Sequence, residues 1–124
     1  MTSTFEDIIA WQHARSFVKH VYLTTKEFPD EERFGLVSQF RRAAVSIAAN
    51  IAEGYKRIGR DDKLRFFNYS QGSLEECRCY IILSNDLGYI TEDEKDKMIQ
   101  EIEDSSRLLN SYSQAVANRK QWEL

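Results

Sequence analysis

The sequence predicts an all-helical fold, an antiparallel up-and-down bundle of four helices, and three observations carry that prediction. One proline and five glycines in 124 residues leave long stretches with nothing to interrupt a helix. Apolar residues recur at alternating steps of three and four, the spacing that gathers side chains on one face of a helix. No stretch shows the period-two alternation of a half-buried strand. The length suits a single domain spanning residues 1–124. An apolar fraction of 42% with 30% charged residues is ordinary for a chain that folds around one core.

The first helix is expected over Thr4–Glu27, or from near Ile9, with Trp11, Ala14, Val18, Val21, Thr25 and Phe28 on its inner stripe. Phe28-Pro29-Asp30 then ends it, because proline disfavours helical geometry in the residue before it. The second helix is expected from Phe34 to Arg57, with Val37, Phe40, Ala44, Ile47 and Ile51 facing inward. Its middle, Ala43-Ala44-Val45-Ser46-Ile47-Ala48-Ala49, is rich in small residues that allow a neighbouring helix to come close, and Gly54 and Gly59 bracket its end. The third follows Gly59, carries Asp61 and Asp62 where carboxylates favour the helix dipole, and stops at Gly88 after Leu87. Thr91 with Glu94 reads as a capping box opening the fourth helix. The inner stripe of that helix is Met98, Ile102, Ser105, Leu109, Tyr112 and Val116, and it ends near Asn118. Short connections make sequence neighbours antiparallel.

The third helix carries two apolar stripes. Phe67, Leu74, Cys77 and Ile81 form one; Phe66, Tyr69, Tyr80, Leu83 and Leu87 form a second, about 100° away. Either the helix is inserted deeply into a small core, or the second stripe is an oligomer interface; the reading favoured here is homo-oligomerisation, since monomers rarely expose so continuous an apolar patch.

Enzyme chemistry finds little support. The residues three before His13 and His20 are Ala10 and Phe17, so the Glu-x-x-His pairs of di-iron bundles are absent. His13 and His20 are about 10 Å apart along the helix axis, too far to share a metal, and are expected at the surface. There is no P-loop, no dinucleotide-binding glycine pattern and no H-E-x-x-H. Arg15 and His20 fit the short R-polar-x-x-x-H signature and so resemble the site of HEPN-class helical ribonucleases, where histidine and arginine handle a proton and a phosphate charge. That spacing arises readily by chance in charged helices. Neither a metal nor a cofactor is expected. Cys77 and Cys79 point roughly 200° apart on a helix and are expected to be reduced thiols, one in the core. The opening has no basic stretch leading into an apolar one, so no signal peptide and a cytoplasmic location are expected. No apolar run approaches the roughly 20 residues a membrane span needs.

The net charge of −3 means that affinity for nucleic acid would have to come from a local patch. Such a patch lies at the corner between the second and third helices. Arg41, Arg42, Lys56, Arg57, Arg60, Lys63 and Arg65 are opposed there by Glu53, Asp61 and Asp62 alone, whereas the fourth helix is strongly acidic. The asymmetry either serves solubility or supplies phosphate contacts, with Tyr55 and Phe66 placed to stack on unpaired bases. Gln39, Arg42, Ser46, Asn50 and Glu53 form a polar line on the second helix, either a solvated face or a hydrogen-bonded seam between subunits, with Glu75 or Glu76 as partners if buried.

Ala10-Trp11-Gln12-His13-Ala14, Phe28-Pro29-Asp30-Glu31-Glu32-Arg33-Phe34-Gly35-Leu36 and Gln39-Phe40-Arg41-Arg42-Ala43-Ala44-Val45-Ser46-Ile47 occur in an order that resembles one family. Asn50-Ile51-Ala52-Glu53-Gly54, Gln71-Gly72-Ser73-Leu74-Glu75-Glu76 and Leu87-Gly88-Tyr89-Ile90 continue it. The resemblance is to the four-helix-bundle proteins encoded in intervening sequences of bacterial 23S ribosomal RNA genes, and it covers nearly the whole chain. It implies an antiparallel bundle assembling as a ring-like homopentamer. The chain is also similar to the accessory variability proteins of diversity-generating retroelements, which share the fold and bind nucleic acid and a reverse transcriptase. The functional expectation is a non-enzymatic, homo-oligomeric protein that binds structured RNA; a protein-interaction scaffold without RNA and, more remotely, a ribonuclease are the alternatives.

Overall fold

A computed structural model describes residues 4–120. Four helices follow in order: α1 (Ile9–Thr25), α2 (Leu36–Lys56), α3 (Arg60–Asp86) and α4 (Glu92–Ala117). Single turns of 3-10 helix at Phe5–Asp7 and Asp30–Glu32 complete the elements, and the described residues contain no strand. No helix among them is long and apolar enough to cross a membrane.

Helix α1 begins later than Thr4 because the cap at Thr4 is spent on the 3-10 turn. The Thr4 hydroxyl accepts from the Glu6 amide at 3.1 Å, and the Asp7 carboxylate accepts from the Thr4 amide at 3.2 Å. Ile8 then runs extended (φ −76°, ψ 119°) before α1 starts. The expected stripe of α1 holds at Ala14, Val21, Thr25 and Phe28, which are buried, but not at Trp11 and Val18. Ala10, Ala14, Phe17, Val21 and Thr25 are buried, while Trp11 and Val18 stay half-exposed on the side facing α2. Phe17 fills the core against Phe40 of α2, ring centroids 6.5 Å apart.

The inner stripe of α2 is as expected: Val37, Phe40, Ala44, Ile47 and Ile51 are all buried. Helix α2 packs closely on α3, and the sequence explains the closeness. Ala43 and Ala44 are fully buried. Ser70 of α3 donates to the Ile47 carbonyl at 2.8 Å, and Ser73 donates to the Ser46 hydroxyl at 2.9 Å. A Cβ on Gly54 would lie 2.6 Å from Cε1 of Phe67 and 3.1 Å from the Lys63 carbonyl oxygen. Glycine is therefore required there by the proximity of α3.

The end of α3 is a Schellman motif. Gly88 takes φ +78°, its amide donates to the Asn85 carbonyl at 3.0 Å, and the Tyr89 amide donates to Ser84 at 2.8 Å. Thr91 caps α4 by accepting from the Glu94 amide at 3.1 Å. Only that half of the expected capping box forms, because the Glu94 carboxylate is drawn to His20 of α1. Met98, Ile102, Ser105, Leu109 and Val116 are buried, with Tyr112 half-buried against Phe67 at 5.3 Å.

Two opposed effects decide the outcome of Gly54→Ala. Alanine favours the helix by about 1 kcal/mol, but overpacking costs about 1–3 kcal/mol, and the close atoms include a backbone carbonyl that cannot swing away. The variant is expected to lose up to about 2 kcal/mol, read in chemical denaturation; a stability above the parent's would show that Phe67 yields freely.

Candidate nucleic-acid interface

The end of the bundle at which α2 turns into α3 carries the basic residues. Arg57 closes α2 with an extended backbone, Gly59 precedes α3, and Asp61 and Asp62 lie in the first turn of α3. Two of the cations here serve helix ends. Lys63 is 9% exposed, and its ammonium donates to the Tyr55 carbonyl of α2 at 2.6 Å. Burial, aided by the nearby Arg119 charge, holds this ammonium below the ordinary lysine range. Arg60 reaches the end of α4, where it donates to the carbonyls of Arg119 at 3.1 Å and Ala117 at 3.4 Å. Both contacts satisfy carbonyls that a helix C-terminus leaves without partners.

Arg57 and Arg65 are arranged differently. Their guanidinium carbons lie over the Phe66 ring, 4.4 and 5.2 Å from its centroid. Asp62 ties both down, with Arg65 at 2.5 Å and Nε of Arg57 at 3.7 Å, and Glu53 lies 3.6 Å from Arg57. Phe66 is thus covered by guanidinium groups, and Tyr55 has the Lys63 ammonium 5.7 Å from its ring centroid. Neither ring is the open stacking platform the sequence suggested. The flat groups offered at this corner are the guanidinium planes themselves. Lys56 is exposed beside them.

Arg41 and Arg42 do not join this cluster. Sixteen residues separate Arg41 from Arg57, about 24 Å along α2. Arg41 stacks on Tyr22 at 4.5 Å and donates to the Thr25 hydroxyl at 2.9 Å, holding the end of α1. Arg42 pairs with Glu76 of α3, which also accepts from the Tyr80 hydroxyl at 2.6 Å. Tyr80 is further packed on Phe40, centroids 6.0 Å apart, so this member of the expected second stripe belongs to the contacts of its own chain. Phe66 is half-buried, whereas Tyr69, Leu83 and Leu87 are 48%, 41% and 55% exposed. Along the polar line of α2, Gln39, Arg42 and Glu53 are exposed, while Ser46, with Asn50 donating to it at 2.9 Å, faces Ser73 of α3 within the chain.

Sequence reasoning missed Arg119, which the end of α4 brings to the basic corner although it is far from it in sequence. Charge counted along a contiguous stretch cannot see a residue delivered by the opposite end of the chain. The other end of the bundle is acidic, with Asp30, Glu31 and Glu32 in the turn after α1 and Glu92, Asp93 and Glu94 opening α4.

Arg15 and His20 lie about 140° apart around α1. Arg15 is over the Trp11 ring at 5.6 Å. His20 sits between two glutamates of α4, Nδ1 2.5 Å from Glu101 and Nε2 2.6 Å from Glu94. The carboxylates occupy opposite edges of the imidazole and do not converge on a point, and no group of three or more potential metal ligands is arranged around an ion among the described residues. Burial raises the Glu101 carboxyl, while His20 pulls it down.

The fold and this corner define a small antiparallel four-helix-bundle protein whose basic end has helix-terminal cations and guanidinium groups stacked on an aromatic ring. The chain belongs to the 23S rRNA-intervening sequence protein family, whose model matches residues 6–111. Among solved structures it is similar to a protein of unknown function from the S23 ribosomal protein family of Bacteroides thetaiotaomicron. The TM-score is 0.77 at 21% identity, covering 85% of this chain and 98% of that one. No curated protein matches.

Two measurements check the local chemistry. Burial pushes the Cys77 thiol up to about 12, whereas Cys79 is exposed; a maleimide at mildly alkaline pH is expected to label one thiol in the native protein and two in denaturant. Two native labels would place Cys77 outside the core. Because folding raises the Glu101 carboxyl, that group favours the folded state below its unfolded value near ~4.3. The contribution is lost as pH rises through the higher folded value. Carbon-detected NMR titration should find Glu101 above the ordinary glutamate range, and higher still in His20→Ala. An unmoved midpoint in that variant would mean that His20 does not stabilise the carboxylate.

Proposed function

We propose that this chain is a non-enzymatic, homo-oligomeric protein that binds structured RNA through the basic end of the bundle. The observation that carries the reading is the gathering of Lys56, Arg57, Arg60 and Arg65 at one end, with Arg119 delivered by α4, in a chain that is net acidic. Arginine presents a rigid planar fork suited to phosphate, and a guanidinium already stacked on an aromatic ring loses less freedom when it binds. Asp62 and Glu53 hold the side chains in place without cancelling the field of the end as a whole. Recognition of this kind tracks the nucleic-acid backbone and is weakly selective for sequence.

Homo-oligomerisation is supported by the exposure of Tyr69, Leu83 and Leu87 along α3. The non-enzymatic part is supported by the engagement of both imidazole nitrogens of His20 with carboxylates.

The test is the salt dependence of binding to a structured RNA, read by fluorescence anisotropy. Lys56→Ala, Arg57→Ala and Arg65→Ala together are chosen because Lys63 and Arg60 cap the ends of α2 and α4, and their loss would confound folding with binding. Affinity is expected to fall steeply from low to moderate salt in the parent. The triple variant should flatten the log–log slope by roughly two, at about 0.7 per lost contact on unpaired strands. An affinity indifferent both to salt and to the substitutions would remove the proposal.

A further inference from the structure

On its outer side α2 carries a second apolar stripe, Val45, Ala48, Ala49 and Ala52, at the i, i+3, i+4, i+7 spacing of a helix-packing face. With Trp11 and Val18 of α1 it lines an open groove of about 410 Å³. On the α2 side the floor is small, Ala48, Ala49 and Ala52, which lets a helix approach closely, while Phe5 and Trp11 add aromatic surface. Arg15 and Lys19 of α1 form the rim, and no carboxylate lines it.

The outer face of α3 has the complementary character. Gly72, Glu75, Cys79, Ile82, Leu83 and Asp86 follow one line along the helix, and all are exposed. Gly72 sits inside a helix, where glycine costs about 1 kcal/mol relative to alanine. A Cβ there would meet nothing within 4 Å, so the chain's own packing gives no reason for it. Gly54 shows the contrast, since α3 itself demands it. Glu75 and Glu103 share the single cation Arg78, each at 2.8 Å, which leaves this face net negative with Asp86 beside it.

We infer that the α1–α2 groove receives the outer face of α3 from a second copy of this chain, Gly72 and Cys79 lying over the alanine floor and Glu75 and Glu103 meeting Arg15 and Lys19. The inference deepens the homo-oligomeric part of the proposed function and rests on it. Groove and stripe are different surfaces of one molecule, so the contact is heterologous, and every copy offers one of each. Both run along the sides of the bundle and leave its basic end open.

The exposed Cys79 and the inert Cys77 supply a direct test. Ala49→Cys places one thiol on the groove floor of the full chain. Treatment with a short bis-maleimide is expected to give a ladder extending beyond dimer on a denaturing gel. The ladder should vanish to background in the parent and in Ala49→Cys/Cys79→Ser. Dimers from the parent would mean that stripe meets stripe, and cross-links surviving Cys79→Ser would mean that groove meets groove; either overturns the pairing. Light-scattering mass on the same samples separates the two levels of the argument. An oligomer without a ladder overturns the assignment of faces alone, and a monomer at high concentration overturns the oligomer as well. Arg15→Glu with Lys19→Glu should lower the mass, and adding Glu75→Lys with Glu103→Lys should restore it; a mass lowered equally in the four-fold variant would count against charge pairing across this contact.

Discussion

The packing of α2 on α3 decides the rest of the molecule. Gly54 lets Phe67 lie against the backbone of α2, and the Ser70 and Ser73 hydroxyls bond to α2 across the same contact. Polar groups buried at a helix interface cost free energy unless paired. Here each serine finds a fixed partner, so the contact gains orientation as well as proximity. With the two helices held in one register, Lys63 is brought under the last carbonyls of α2, and Phe66 is carried outward to meet Arg57. The basic corner is a consequence of that register.

Charge in this protein is organised by helix ends. Lys63 and Arg60 answer carbonyls at the ends of α2 and α4, Arg41 holds the end of α1, and carboxylates open α3 and α4. Each placement follows the helix dipole, which favours cations at the C-terminus and anions at the N-terminus. In an up-and-down bundle each end holds two C-termini and two N-termini, so these preferences oppose one another: Asp61 and Asp62 lie at the basic end, and Arg41 lies at the acidic one. The C-termini of α2 and α4 share one end, so their cations collect there, while the acidic turn before α2 and the first turn of α4 share the other. Electrostatic polarity along the bundle arises because the cations at the ends of α2 and α4, and the carboxylates of the Asp30–Glu32 turn and of α4, outnumber the opposite charges that α1 and α3 bring to the same ends. What distinguishes the basic end is the pair Arg57 and Arg65, whose stacking on Phe66 is not required to satisfy any helix terminus.

Most of the fold was legible in the sequence because it follows from local rules. The stripes of α2 and α4 are buried as their spacing demands, and Gly88 adopts the left-handed backbone expected of a terminator. The failures have physical causes. Of the two starts read for α1 the later one, at Ile9, holds, since Thr4 caps a 3-10 turn instead; the stripe drawn through Trp11 and Val18 lies beside the buried face, which runs through Ala10, Ala14 and Phe17. Thr91 and Glu94 had the spacing of a capping box, yet a histidine 74 positions earlier claimed the carboxylate. At the site, the identity of the cations could be read but not their duties, since a backbone carbonyl that accepts a hydrogen bond carries no signature in sequence. Tyr80 shows the same limit: its spacing matched Leu83 and Leu87, while Glu76 and Phe40 drew it inward.

The proposed assembly through the sides of the bundle and the proposed binding through its end are compatible for a geometric reason. Neither Arg57 nor Arg65 lines the groove between α1 and α2, and neither lies on the outer line of α3 from Gly72 to Asp86, so the faces proposed to join copies are distinct from the stacked guanidinium groups. Repeating a heterologous contact by rotation closes a ring in which equivalent groups lie in one plane. Every basic end would then point to the same side. A single end, with much of its charge answered within the chain, offers modest affinity for phosphate. Several ends fixed in one plane act on one strand together, and the second contact onward is made at the effective concentration set by the first. If the proposed contact forms, the apolar complementarity of the bundle's sides, more than the strength of any one arginine, would set the affinity of the basic end.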